Sequence, residues 1–237
     1  MRQLQSALHE RVPYGIDAPP VPLGLAAAGV ACCLAARWGR SRWPAAAGAV
    51  LLAHAGVYLH TTMGGKLQVW RRVLGELALN GDEHLLDLGC GRGAVLIEAA
   101  RRLPAGRAVG VDLWHGRDQS GNSPGATLAN AGRAGVSDRV DVQTADITAL
   151  PFPGGSFDVV TSALAIHNIP AARDRYRALD EAVRVLRPGG HLLIADFWPM
   201  TKKYAAHLGR GTLQGLGPGY WYGGPWFGVT LLHAVKA

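Results

Sequence analysis

The most informative run of this 237-residue chain is His84-Leu85-Leu86-Asp87-Leu88-Gly89-Cys90-Gly91-Arg92-Gly93-Ala94. It predicts a short apolar strand, a turn with three closely spaced glycines, and the start of a helix. Glycines remove side chains where the backbone must bend sharply and approach a ligand, and a helix that begins there offers free N–H groups to that ligand. The spacing G-x-G-x-G differs from the dinucleotide fingerprint G-x-G-x-x-G. The run therefore predicts a nucleotide-binding turn, and a tight strand-to-helix connection without a ligand is the alternative.

Further apolar runs follow where a doubly wound sheet would place its strands. Val109-Gly110-Val111-Asp112 predicts a second strand that ends in a carboxylate 19 residues after Gly93, the position from which an acid reaches ribose hydroxyls. Thr144-Ala145-Asp146-Ile147 ends a third strand, and residues 157–162 form a fourth. Residues 184–196 predict a helix end, a Pro-Gly-Gly break and a fifth strand. This order predicts an α/β fold with a doubly wound, mostly parallel sheet.

In these motifs, from about Gly65 to the C-terminus, the chain resembles the class I S-adenosylmethionine-dependent methyltransferases. The resemblance implies a seven-stranded Rossmann-like sheet, with residues 228–235 as an antiparallel edge strand, and S-adenosyl-L-methionine as the cofactor. In that family the glycine turn holds the methionine part of the cofactor, the acid after the second strand binds the ribose, and an acid with an apolar neighbour after the third strand frames the adenine. The implied cofactor-binding residues are Asp87, Leu88, Gly89, Cys90, Gly91, Gly93, Asp112, Leu113, Asp146, Ile147 and Ser162.

Upstream of these motifs, residues 20–36 and 44–60 are two uncharged stretches that predict a helical hairpin. Each is at the lower limit of length for crossing a bilayer, and both are rich in Ala and Gly, which favour close helix packing in lipid. Residue types that favour a membrane interface occupy the connector: Arg37, Trp38, Arg40, Arg42 and Trp43. Two transmembrane spans are the favoured interpretation. A shallow membrane-embedded hairpin and a soluble pair that covers the catalytic domain are the alternatives.

The positive charge of the chain lies beside this hairpin. The formal net charge is +7; eight Lys or Arg against two Asp or Glu give residues 1–72 a charge of +6, which leaves +1 for residues 73–237. An enzyme that follows phosphate backbones carries a basic stripe at its active site, whereas here the excess flanks the hairpin, where anionic lipid headgroups would meet it. The pattern predicts a membrane and no nucleic acid as partner. The predicted domains are residues 1–64, with the hairpin, and residues 65–237, the methyltransferase domain.

The residues that would contact the methyl acceptor are harder to predict from the sequence. Ligands of an open α/β sheet bind at the carboxyl ends of the strands, and the stretch after the fourth strand holds His167. Because imidazole titrates near neutral pH, His167 is our candidate for a general base or substrate-positioning group, with a histidine that only holds the loop as the alternative. Residues 197–227 hold eight of the 17 aromatic residues, which predicts an apolar lid, a membrane contact or a compact loop. The three cysteines have no partner at metal-ligand spacing, so no metal site is predicted.

Together these features predict an enzyme: a membrane-anchored S-adenosylmethionine-dependent methyltransferase whose catalytic domain faces the cytoplasm, where the cofactor is made. The acceptor is predicted to be small or lipid-soluble, such as a quinone precursor, a phospholipid amine, a fatty acid or a lipophilic thiol. One alternative is a secondary-metabolite methyltransferase whose hairpin serves dimerisation or covers a soluble substrate. Another is a catalytically idle, cofactor-binding membrane scaffold, against which the intact Asp87, Asp112 and Asp146 count.

Overall fold

The computed structural model of the protein describes residues 12–39 and 41–237, so Arg40 and the first eleven residues lie outside the described residues. Two helices come first, α1 (Pro20–Trp38) and α2 (Trp43–His60), and a π-helical turn (Thr61–Gly65) leads from α2 directly into α3 (Lys66–Gly75). The other α-helices are α4 (Ala94–Ala100), α5 (Pro124–Arg133), α6 (Ala172–Val185) and α7 (Trp198–Leu208). The strands are β1 (His84–Leu88), β2 (Arg107–Asp112), β3 (Val140–Thr144), β4 (Phe157–Ala163), β5 (Leu186–Phe197), β6 (Thr212–Gly215) and β7 (Val229–Val235).

The strands form one seven-stranded sheet in the order β3-β2-β1-β4-β5-β7-β6. Strands β1 to β5 run parallel to one another, and β7 is antiparallel to both β5 and β6. The register pairs Asp87 with Gly110 of β2 and with Thr161 of β4, so the carboxyl ends of three strands lie side by side at one edge of the sheet. This arrangement confirms the predicted doubly wound, mostly parallel sheet and places the glycine turn where such sheets bind ligands.

Two predictions about the later strands are wrong in detail. Strand β7 is not the edge strand, because β6 pairs with its outer side. The side chains of Leu231 and Leu232 in β7 are buried whereas all four residues of β6 are exposed, so β7 takes the inner position. Strand β5 also begins before the Pro-Gly-Gly sequence instead of after it. Gly189 N donates to the carbonyl of Lys236 over 2.8 Å, and this pairing with the last residues of the chain extends the strand.

Apolar side chains cover both faces of the sheet. Successive residues of a strand point to opposite faces, and accordingly Leu85 joins one buried cluster while Leu86 joins the other. Such burial on both faces is typical of parallel strands flanked by helices. Helix α3, which ends at Gly75, is amphipathic. Its apolar side packs against the domain, and Trp70 Nε1 donates to the hydroxyl of Tyr220 over 2.9 Å.

Helices α1 and α2 form the predicted hairpin and approach each other through glycines. A Cβ atom added to Gly48 would lie 2.5 Å from Sγ of Cys33 and 2.8 Å from the carbonyl oxygen of Gly29. Such backbone proximity at small residues is the packing that helices use in lipid. At the tip of the hairpin, Trp38 and Trp43 are each 82% exposed.

The base of the hairpin contacts the α/β part of the chain. The ring of Tyr58 meets that of Tyr222 edge-on with 4.9 Å between centroids, and His54 lies 5.3 Å from Trp226. The hydroxyl of Tyr58 donates to the carbonyl of Asp17 over 3.0 Å. The base of the hairpin is therefore fixed to the rest of the chain beside the aromatic residues 220–227, hereafter the C-terminal segment.

Among the described residues, α1 is the one helix that is long and apolar enough to cross a membrane. Its 19 residues span about 28 Å, close to the ~30 Å of a bilayer's hydrocarbon core. Helix α2, of 18 residues and with His54 inside its apolar run, is not among the helices that meet this test of length and hydropathy. The prediction of two spanning helices is thus supported for α1 alone.

Replacing Gly48 by Val is expected to destabilise the hairpin, because the added atoms would overlap the backbone of α1. Overpacking of this kind costs about 1–3 kcal/mol. Gly56→Val is the matched control, since it lies in the same helix and an added Cβ there meets no atom within 4 Å. Thermal unfolding in detergent, followed by circular dichroism, should give the lower Tm for Gly48→Val. Equal Tm values for the two variants would contradict close packing at this crossing.

Candidate active site

The glycine turn between β1 and α4 adopts the left-handed backbone that its glycines allow. The φ angle is +68° at Gly89, +51° at Gly91 and +84° at Gly93. A Cβ on Gly91 would lie 2.5 Å from Oε1 of Gln119, and a Cβ on Gly93 would lie 3.0 Å from Cγ2 of Thr127. The turn therefore needs glycine both for its backbone and for close approach: Gly91 to the loop after β2, and Gly93 to α5.

Asp112, at the end of β2, is held in place through both carboxylate oxygens. Gly91 N donates to Oδ2 over 2.8 Å, and Trp114 N donates to Oδ1 over 2.6 Å. Nδ2 of Asn122 donates to Oδ1 over 3.3 Å, so the loop of residues 113–122 folds back around this carboxylate. Oδ1 of Asn122 is buried and has no partner among the described residues, although Asn122 lines the adjacent cavity. It is available to accept a hydrogen bond from a ligand.

Asp87, in β1, is a buried carboxylate on the wall of the same cavity. Its Oδ1 accepts a hydrogen bond from Oγ1 of Thr161 over 2.8 Å. Burial disfavours the charged form and raises the pKa of Asp87 to about 7; the Asp112 carboxylate reinforces this shift and the Thr161 hydrogen bond opposes it. A cationic group bound beside Asp87 would favour the ionised carboxylate.

These groups line one cavity of about 350 Å³. Eight of the predicted cofactor-binding residues lie on its wall: Asp87, Gly89, Cys90, Gly91, Asp112, Leu113, Asp146 and Ile147. Three others do not. Leu88 is buried in the core, Gly93 packs against α5, and Oγ of Ser162 donates to the carbonyl of Leu88 over 3.1 Å. These three shape the strand and the turn that carry the site.

The donor set of the cavity fits a nucleoside with a charged tail. Asp112 and the unpartnered Oδ1 of Asn122 offer acceptors for hydroxyl groups, and Leu113 and Ile147 offer apolar surface for a flat ring. Burial raises the pKa of the Cys90 thiol well above its ordinary value, so this residue is a neutral wall group. Within residues 12–39 and 41–237, no three His, Cys, Asp or Glu side chains are grouped to hold a metal ion.

His167, the candidate base, lies in a short 3₁₀ turn (Ile166–Asn168) and is not on the wall of this cavity. Its Nδ1 lies 2.9 Å from Oδ1 of the buried Asp196, in an orientation that makes no hydrogen bond. Its ring meets Phe197 edge-on at 5.2 Å. The neighbours Leu164 and Asn168 line the cavity instead. A catalytic role for His167 stays a prediction.

Part of the cavity wall is made by Asp17 and Lys66, which the sequence did not single out as site residues, and by Tyr220 and Tyr222 of the aromatic segment 197–227. Nζ of Lys66 lies 2.8 Å from each carboxylate oxygen of Asp17. The hydroxyl of Tyr222 donates to Oδ2 of Asp17 over 2.7 Å, and Nε2 of Gln119 donates to Oδ1 over 2.9 Å. A residue ahead of the hairpin, the first residue of α3 and the C-terminal segment thus meet at one carboxylate.

Asp17 is charged although its side chain is only 19% exposed. Burial alone would raise its pKa, but the charge of Lys66 and the hydrogen bonds from Lys66, Tyr222 and Gln119 outweigh that effect and lower the pKa below its ordinary value. Burial raises the pKa of Tyr222 well above its ordinary value, an effect that the Asp17 charge increases, so its phenol stays protonated. One signal was present in the sequence: Asp17 is one of only two acidic residues among the first 72.

Comparison with known proteins gives a family match and several relatives. A family model for a methyltransferase domain matches residues 86–194. The 27-O-demethylrifamycin SV methyltransferase of Amycolatopsis mediterranei is 37% identical over 126 residues, which cover 53% of this chain and 43% of that protein. The demethylmenaquinone methyltransferase of Thermus thermophilus is 37% identical over 136 residues, 56% of each. The ubiquinone/menaquinone biosynthesis C-methyltransferase UbiE of Paracoccus denitrificans is 36% identical over 138 residues, 58% of this chain and 52% of that protein. The chain spans about half the length of the curated relatives it matches.

Solved structures share the fold at low sequence identity. A SAM-dependent methyltransferase from Aquifex aeolicus has a TM-score of 0.57 at 18% identity, covering 71% of this chain and 89% of that one. The (4+2)-cyclase SpnF has a TM-score of 0.56 at 21% identity, covering 70% and 81%. These likenesses show the fold alone, and the name of the second indicates that this fold carries more than one chemistry.

Gly91→Val is expected to abolish binding of S-adenosylhomocysteine, the demethylated cofactor, because the side chain would overlap Gln119 and is strained at a φ of +51°. Isothermal titration calorimetry measures the loss. Gly132→Val, on the exposed side of α5 where an added Cβ meets no atom within 4 Å, should bind like the wild type. Unchanged affinity in Gly91→Val would refute the assignment of the turn.

Cofactor binding should depend on the ionisation of Asp87. Between the ordinary value of 3.8 and about 7, the folded protein keeps a proton on Asp87 that the unfolded chain has lost, so the free energy of unfolding falls as pH rises through this window. A cationic ligand that lowers this pKa must release protons, so its affinity should rise as pH rises toward about 7.

Calorimetry with S-adenosylmethionine at about pH 6, in buffers of different protonation enthalpy, counts those released protons. Asp87→Asn removes the titrating group and should abolish the release. The same proton release in the wild type and the variant would mean that Asp87 does not face the cationic part of the ligand.

Proposed function

We propose, from the membership of this chain in the class I S-adenosylmethionine-dependent methyltransferases, that it transfers a methyl group from that cofactor to a small or lipid-soluble acceptor at a membrane. The observation that carries the proposal is the single cavity on which the glycine turn, Asp87, Asp112 and Asp146 converge. The family match covers the strands and turns that carry the glycine turn, Asp87, Asp112 and Asp146, so the part of the chain that resembles methyltransferases forms one side of this cavity.

Different residues of the cavity would bind different parts of the cofactor. The glycine turn would hold its methionine part, Asp112 its ribose, and Asp146 with Ile147 its adenine. When bound, S-adenosylmethionine supplies an electrophilic methyl group on a sulfonium centre. Since methyl transfer is an in-line displacement, the protein has to align the acceptor and exclude water, and few of its residues need to act covalently. The buried phenols Tyr220 and Tyr222 close part of the wall against solvent.

A quinone precursor is the acceptor class we favour among the lipid-soluble ones. Beside the polar cofactor groups, the cavity wall has apolar and aromatic surface from Leu164, Ile169, Pro170 and Tyr220. This surface suits a flat, apolar ring, because such ligands are held by area and oriented by a few polar groups. The names of relatives that act on demethylmenaquinone and in ubiquinone and menaquinone biosynthesis support the same class.

We propose that the hairpin anchors the enzyme, with the catalytic domain facing the cytoplasm. Its surface carries exposed apolar side chains, including Leu23, Val30 and Leu34 of α1, which no described residue covers. The tip carries exposed Trp38 and Trp43 together with Arg37, a combination that suits headgroups. Because the base of the hairpin contacts the segment that also lines the cavity, the anchor would hold the cavity near the lipid surface.

A second reading of the hairpin is that it covers the substrate of a soluble-acceptor methyltransferase. The observation that favours it is the contact of the base of α2 with the site, through Tyr58 to Tyr222 and to the backbone of Asp17. The two readings differ in what the outer surface of the hairpin contacts. Vesicle binding therefore distinguishes them.

The function is tested by supplying the full-length protein with methyl-labelled cofactor and a cell extract. Lipid, aqueous small-molecule, volatile, protein and RNA fractions are then separated. Label in the lipid fraction would support the proposal, and label in the aqueous or volatile fraction would favour the covering role of the hairpin. Absence of label from every fraction, with the cofactor bound, would instead support a catalytically idle scaffold.

Leu34→Glu should release the protein from membranes. Leu34 lies on α1 and is 44% exposed, and a charge in the apolar part of a bilayer costs about 2.5–3.5 kcal/mol. Leu128→Glu is the matched control, because Leu128 is also 44% exposed but lies on α5 of the catalytic domain. In flotation with phosphatidylethanolamine and phosphatidylglycerol vesicles, the wild type and Leu128→Glu should float and Leu34→Glu should float at least tenfold less. Equal flotation of all three would contradict anchoring through α1.

A further inference from the structure

Lys66 is a buried cation on the wall of the cavity. It is the first residue of α3, directly after the π-helical turn, and its side chain is 6% exposed. Lysine is almost never this buried unless its charge is compensated, and here the compensation is Asp17. The pair lines the cavity, so a ligand in that space meets a charged group and not an apolar wall.

Asp17 and Lys66 differ in how much of their hydrogen-bonding capacity is satisfied. Asp17 accepts four, two from Lys66 and one each from Tyr222 and Gln119, which satisfies its carboxylate. An ammonium has three donors, and Lys66 uses two of them on Asp17. No other group among the described residues accepts from Nζ. The third N–H is the polar capacity that this wall offers to a ligand.

The rest of the cavity is unfavourable to an anion. Its wall carries several carboxylates, among them Asp87, Asp112 and Asp146. Its other cationic side chain, Arg117, is 75% exposed and lies 3.5 Å from Asp118. An oxyanion in this space therefore finds one buried positive charge, at Lys66. The carboxylate of Asp17 beside Lys66 accepts four hydrogen bonds, and these weaken the repulsion between Asp17 and a second anion.

We propose that Lys66 forms an anion subsite, in which its third N–H and its charge bind an oxyanion of the ligand. This subsite rests on the proposed function, because that function supplies two oxyanions: the carboxylate of the cofactor's methionine part and the ionised oxygen of an enol or phenol acceptor. Of these two oxyanions, we favour the carboxylate of the cofactor. Gln119, which donates to Asp17, also accepts from the backbone of Arg92 over 2.7 Å and so ties the pair to the glycine turn.

The test uses ligands that differ in one group. S-adenosylhomocysteine carries the amino-acid carboxylate, decarboxylated S-adenosylhomocysteine lacks that carboxylate alone, and 5′-methylthioadenosine lacks the whole amino-acid tail and reports on nucleoside binding. The anion of 2-hydroxy-1,4-naphthoquinone carries an ionised ring oxygen and 1,4-naphthoquinone lacks it. Each ligand is titrated by calorimetry into full-length protein in detergent, with S-adenosylhomocysteine present for the naphthoquinones. The variants are Lys66→Met, Lys66→Arg and, as control, Lys203→Met, which removes an exposed lysine of α7.

Lys66→Met leaves Asp17 without its counter-charge, so the double variant Lys66→Met/Asp17→Asn, which removes both charges, is measured beside it. The comparison of paired ligands in one protein also separates loss of the subsite from loss of the fold. A charge-assisted hydrogen bond corresponds to a loss on the order of tenfold when its donor is removed. Lys66→Arg keeps the cation and should keep most of the discrimination.

If the subsite binds the cofactor carboxylate, Lys66→Met and the double variant should lose about tenfold in affinity for S-adenosylhomocysteine and not for decarboxylated S-adenosylhomocysteine. If it binds the acceptor, the loss should fall on the hydroxynaphthoquinone anion and spare 1,4-naphthoquinone. Unchanged ratios for both pairs, in variants that still bind 5′-methylthioadenosine, would overturn the subsite alone. A wild type that binds neither S-adenosylhomocysteine nor 5′-methylthioadenosine would overturn the proposed function and the subsite together.

Discussion

One partly buried carboxylate, that of Asp17, joins four parts of the chain around the cavity. The carboxylate accepts hydrogen bonds from Lys66 of α3, from Tyr222 of the C-terminal segment and from Gln119 of the long loop after β2. The backbone carbonyl of Asp17 accepts a further one from Tyr58 of α2. Desolvation offsets much of the attraction in a buried ion pair, yet removal of one partner costs about 3–5 kcal/mol. We infer that this cluster contributes more to how the four segments are arranged than to net stability.

The hairpin and the cavity share a continuous helical connection. Helix α2 passes into α3 through the π-helical turn without an intervening loop, and single π turns in helices are frequent at functional sites. Both threonines of the turn are used: Thr62 Oγ1 accepts from the backbone of Asp17 over 2.9 Å, and Thr61 Oγ1 donates to the carbonyl of Trp221 over 2.7 Å. The orientation of the hairpin is thereby set by the same contacts that close the cavity.

The two halves of the site have different structural origins. The half that we propose binds the cofactor comes from the sheet, where the parallel strands β1 and β2 end side by side and the bond from Gly91 N to Asp112 fixes the turn against the second strand. The other half comes from segments added to the sheet: the residues ahead of α1, the start of α3 and the aromatic C-terminal segment. The matched residues 86–194 thus supply one part of the cavity wall, and segments outside them supply the rest.

By itself the sequence determined the strand–glycine turn–helix unit, the acids at the ends of the second and third strands, the doubly wound, mostly parallel class and the helical hairpin. These features depend on backbone conformation and on periodicity within a few consecutive residues, so short stretches of sequence are enough to predict them. Only the tertiary structure decided that Asp17 meets Lys66 and Tyr222, 49 and 205 residues away, that His167 lies against Asp196 and not on the cavity wall, and that β6 and not β7 takes the sheet edge. Such contacts follow from how whole elements pack, and no local pattern records which distant side chain will compensate a buried charge.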